Sequence, residues 1–72
     1  MKGYKIEYQV GKVSLNTSNL LVQDIDDMET LEFWEKRLKR MGQNFAVVYR
    51  EVEGRILYSI FTNSRKKGSI FK

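Results

Sequence analysis

A small α+β domain of order β-β-α-β-β is predicted by three observations. Apolar and polar residues alternate over residues 4–10, an amphipathic stripe runs from Met28 to Met41, and Glu53-Gly54 separates two segments rich in β-branched and aromatic residues. The expected architecture is a small antiparallel sheet built from two β-hairpins, with one amphipathic helix packed across it.

Tyr4, Ile6, Tyr8 and Val10 alternate with Lys5, Glu7 and Gln9, the pattern of a strand with one buried face. Gly11-Lys12 suits a two-residue type II′ turn, which would set Val10 opposite Val13 and Tyr8 opposite Leu15. Asn16-Thr17-Ser18-Asn19 then reads as a polar turn, and residues 20–25 as a second short strand or an extended lead-in to the helix.

From Asp26 the period changes. Met28, Leu31, Trp34, Leu38 and Met41 recur at steps of three and four, which predicts a helix over residues 27–41 with those five side chains in the core. Asp26 or Asp27 is the expected N-cap, with Glu29 completing a capping-box variant three residues after Asp26, and Gly42 is placed to end the helix.

Residues 44–52 and 55–62 then form the second hairpin. A two-residue loop at Glu53-Gly54 sets Val47 opposite Ile60 and Tyr49 opposite Tyr58. Phe45, Val47, Tyr49, Ile56, Tyr58 and Ile60 then share a core face, while Ala46, Val48, Arg50, Arg55, Leu57, Ser59 and Phe61 share the reverse face. Residues 63–72 read as a basic turn followed by a short strand or tail.

The 72 residues suffice for one domain, expected to span 1–72. With no Cys and no His, the chain has no disulfide, no thiolate or imidazole metal ligand, and no nucleophile or base of either type. Neither G-x-S-x-G, nor a P-loop, nor a dinucleotide fingerprint occurs, so the expectation is a non-enzymatic protein without a cofactor. The longest apolar run is Phe45-Ala46-Val47-Val48-Tyr49, far short of the roughly 20 residues of a membrane span. An alternating stretch rather than an apolar run follows Met1-Lys2, and a cytoplasmic location is expected.

The formal charge of +4 hides a strong segregation. Residues 24–35 carry six carboxylates and no cation, whereas residues 36–72 carry ten basic residues against Glu51 and Glu53. Asp24, Asp26 and Asp27 form a D-x-D-D group that suits a hard cation, but a helix start uses carboxylates equally well, and the capping reading is preferred.

Three basic groups are candidate phosphate contacts: Arg37 and Arg40 at the helix end, Arg50 and Arg55 beside Phe61, and Arg65-Lys66-Lys67. Phe61 is the candidate platform for stacking an unpaired base, with burial as the plainer alternative. Phe33 falls about 200° around the helix from Leu31, off the core stripe, and with Arg37 makes a candidate protein interface.

These features predict a small binding module whose basic C-terminal half contacts an anionic partner, nucleic acid first. The alternative is a compact regulator or inhibitor that binds an acidic protein surface, of the kind carried as accessories by mobile elements, or a homodimer.

Overall fold

The structure, a computed structural model, describes residues 3–63. Its elements are β1 (Lys5–Val10), a single 3₁₀ turn (Thr17–Asn19), β2 (Leu20–Ile25), α1 (Met28–Arg40), β3 (Phe45–Val52) and β4 (Arg55–Thr62). The four strands form one antiparallel sheet in the order β1-β3-β4-β2, with α1 across one face. This is the predicted α+β class. Residues 20–25 are a strand, and the proposed turn and tail from Ser64 onward lie outside the described residues.

The C-terminal hairpin has the predicted register, with Val47 opposite Ile60 and Tyr49 opposite Tyr58. Glu53 and Gly54 both adopt positive φ, 52° and 79°, the conformation a two-residue turn needs to follow the right-handed twist of its strands. This hairpin is the centre of the sheet.

The N-terminal hairpin does not form. β1 pairs with β3 and β2 pairs with β4, so the first two strands occupy opposite edges. Residues 11–19 cross between those edges at the end of the sheet shared by Val10, Phe45 and Thr62. Gly11 supplies a left-handed φ of 75°, and the Asn44 side chain occupies the space a Cβ would need. Asn63 fastens the crossover: its amide donates to the Lys12 carbonyl, and its Oδ1 accepts from the Ser14 amide and the Asn19 side chain, each at 3.3 Å.

Two irregularities in the edge strands redirect side chains. Ile6 stands opposite Val48 but Tyr8 stands opposite Val47, so the extra residue Glu7 turns Ile6 and Tyr8 to opposite faces. The expected single apolar face of Tyr4, Ile6, Tyr8 and Val10 is therefore split, and Ile6 is exposed. In β2, Asp24 takes φ 59°, a left-handed conformation aspartate tolerates better than most residues, and its amide donates to the Ser59 hydroxyl at 3.2 Å.

Asp27 is the N-cap of α1, accepting from the Thr30 amide at 2.8 Å. Since Asp26 is not the cap, Glu29 does not close the expected capping box. At the other end the Gln43 and Gly42 amides donate to the Leu38 and Lys39 carbonyls, the paired bonds of a Schellman stop.

Leu31 and Leu38 pack with Ile25, Phe45, Val47 and Ile60, flanked by Trp34, Tyr8 and Tyr58. Met28 and Met41, predicted in this core, are 56% and 39% exposed. They mark the outer limits of the stripe, at the first residue and the C-cap of α1.

The reverse face is also largely dry at the crossover end. Ala46, Val48, Ser59 and Phe61 are buried there, and Leu15 from the crossover lines a groove with Val48 and Phe61. Ser59 and Thr62, the two buried polar side chains among the described residues, are both bonded, Ser59 to the Asp24 amide and Thr62 to the Asn44 carbonyl at 2.8 Å.

Candidate functional site

The candidate residues fall on two surfaces that do not meet. α1 covers the face carrying Val47 and Ile60, and the loop after its C-terminus reaches Thr62 at the crossover end. Arg50 alternates with Val48 and so lies on the reverse face, toward the β3–β4 turn. The expected convergence of Arg37 and Arg40 with Arg50 and Arg55 does not occur.

On the reverse face, Arg50 is held by two partners. Its Nη2 donates to both oxygens of Asp24, at 3.1 and 3.2 Å, and its guanidinium lies 5.6 Å from the centroid of the Tyr4 ring. Its Nε is buried with no hydrogen-bond partner. Arg55 donates to Asp26 at 2.7 Å, in a more exposed pair.

These carboxylates neutralise Arg50 and Arg55, two of the expected phosphate contacts. The same pairs answer the question raised by the D-x-D-D group: Asp24 holds Arg50, Asp26 holds Arg55, and Asp27 caps α1. Among the described residues, no group of three acidic, His or Cys side chains is arranged to hold a metal ion.

Phe61 cannot serve as a stacking platform in this structure, because its relative exposure is 0%. It lines a reverse-face groove of about 190 Å³ with Tyr4, Lys5, Ile6, Leu15 and Val48. A shallower polar hollow of about 310 Å³ lies by the crossover, between Gln9, Lys12, Ser14 and Asn63. Arg65, Lys66 and Lys67 lie outside the described residues.

The outer surface of α1 is different. Phe33 is 56% exposed, as its position off the core stripe predicts, and its ring meets Trp34 edge-on at 5.5 Å and 82°. Trp34 is half-buried against the core, so the exposed ring rests on a fixed support. Arg37 and Arg40 follow at four and seven residues, on the same side of the helix as Phe33. Lys36, Arg37, Lys39 and Arg40 are exposed, and among the described residues none of them forms an ion pair. Glu32 and Glu35, spaced for pairs with Lys36 and Lys39, make none there either.

Glu35 is instead bonded to Tyr8, whose hydroxyl donates to its carboxylate at 2.7 Å and ties α1 to the β1 edge. Burial, then the hydrogen bond and charge of Glu35, then the charge of Glu7, push the Tyr8 phenol well above the ordinary tyrosine range. Neither this bond nor the two arginine pairs has a local sequence signal, because the partners lie 26 to 29 residues apart.

Among the described residues no helix is long and apolar enough to cross a membrane. Compared with protein-family models, curated proteins and solved structures, the chain has no match in any of the three.

Proposed function

We propose that this is a non-enzymatic protein-binding module, a compact regulator that docks through the outer face of α1. The observation that carries the reading is Phe33: a large apolar ring held out to solvent on a half-buried tryptophan, with Arg37 and Arg40 beside it and no carboxylate among the described residues neutralising them. An aromatic anchor flanked by arginines suits a protein surface that offers an apolar contact with acidic residues beside it.

The test is capture of a stoichiometric protein complex from nuclease-treated extract by the wild-type chain and by Phe33→Ala. The variant is expected to lose the complex while keeping its circular dichroism and melting temperature. Recovery of the same complex by a folded Phe33→Ala protein overturns the reading.

Nucleic acid is the second reading, favoured by Lys36, Arg37, Lys39 and Arg40 in the last turns of α1, none of which forms an ion pair among the described residues. With Phe61 enclosed and Arg50 and Arg55 paired, such binding rests on charge alone, so a mobility shift should weaken steeply with salt. No shift at low salt removes it.

A further inference from the structure

The outer face of α1 is complementary to itself when turned end for end. Glu29, Phe33 and Arg37 occupy successive i, i+4 positions, so they form one ridge with a carboxylate at one end, an aromatic ring in the middle and a guanidinium at the other. All three side chains are exposed, and neither Glu29 nor Arg37 has an ion-pair partner among the described residues.

We infer that the partner on this face is a second copy of the chain, its α1 lying antiparallel against the first and centred on Phe33. This rests on the reading of the α1 outer face as a protein-docking surface and names its occupant. Twofold symmetry about Phe33 sets the residue four positions before it against the residue four positions after it in the other copy. Glu29 of each copy meets Arg37 of the other, and the two Phe33 rings meet at the centre. Ridges of i, i+4 spacing interdigitate at a crossing angle of about −50°, lying side by side, which sets both charge pairs alongside each other. A parallel arrangement would set Glu29 on Glu29 and Arg37 on Arg37, so the charges also select the orientation.

The contact is one helix wide, at the small end of protein interfaces, and the expected association is reversible in the micromolar to millimolar range. Arg37 and Glu29 each appear twice in the dimer, so one substitution alters two pairs.

Sedimentation equilibrium of the full chain, from micromolar to millimolar concentration, tests the pairing. The wild type is expected to show a monomer–dimer equilibrium. Phe33→Ala, Glu29→Arg and Arg37→Glu should each weaken it about tenfold or more. The double variant Glu29→Arg with Arg37→Glu should restore it, because the exchange recreates both pairs with reversed polarity, and a merely structural role for these residues predicts no such rescue.

A wild type that stays monomeric throughout overturns the inference, as does a dimer indifferent to all three single changes. A double variant that is folded by circular dichroism yet remains monomeric overturns it too. If the wild type is monomeric but still holds a different protein in a Phe33-dependent manner, self-pairing has failed and the wider docking reading has not. Loss of both means the face does not dock proteins.

Discussion

The outer surface of α1 and the reverse face of the sheet each carry a phenylalanine and two arginines, and they use them in opposite ways: on the reverse face the register sets Phe61 at the crossover end, away from Arg50 and Arg55 at the turn end rather than beside them. On the reverse face, Phe61 is enclosed, and nearer the β3–β4 turn Arg50 lies on a tyrosine ring and is held by Asp24. On α1, Phe33 stands in solvent and Arg37 and Arg40 have no carboxylate among the described residues. Residue type does not separate a structural cation from one available to a partner. The difference lies in what the rest of the fold brings alongside.

The widest separation is expected between the two phenylalanines. Phe61→Ala removes a fully buried ring and should cost about 3–5 kcal/mol in denaturant unfolding. Phe33→Ala should stay within about 0.5 kcal/mol, its effect confined to binding. Similar losses at both sites would mean that the α1 ring is part of the core.

The arginines should divide in the same direction by less. Arg50→Ala leaves Asp24 without its partner and Tyr4 without its cover, and should cost about 1 kcal/mol, the upper end for a partly exposed ion pair. Arg37→Ala and Arg40→Ala should lie within about 0.5 kcal/mol by thermal unfolding. Destabilisation by Arg37→Ala equal to that of Arg50→Ala would erase the contrast.

The smallest effect concerns the bond tying α1 to β1. Because the Tyr8 pKa is raised in the folded chain, its contribution is fully present below the unfolded tyrosine value of about 10 and is lost as pH rises beyond it. Unfolding free energy should therefore fall above about pH 10 more steeply in the wild type than in Tyr8→Phe. Parallel slopes would mean that Tyr8 ionises alike in both states.

Local pattern carried much of this fold. The helix needs only its own periodicity and caps, and the β3–β4 register follows from two turn residues and alternation. The partner of β1 was not legible, because Tyr8-Val10-Gly11-Lys12-Val13-Leu15 satisfies hairpin rules without reference to the rest of the chain. Its actual partner, β3, begins 35 residues beyond Val10. The bulge at Glu7 was equally hidden, since it arises from fitting β1 to that distant strand. On the candidate site, Phe33 could be placed outside by helical geometry alone. The pairing of Asp24 and Asp26 with Arg50 and Arg55 could not, as it depends on β2 adding to the β4 side of the hairpin that carries both arginines.

The strand order also governs how the chain comes off the ribosome. Both edges of the sheet are synthesised before its centre, so β1 has no strand partner until β3 follows it and β2 has none until the segment ending at Thr62 has emerged. Completion of the sheet during translation is therefore late. A nascent chain halted before that point would display an unpaired β2 and the apolar side of α1, the kind of surface chaperones and proteases recognise.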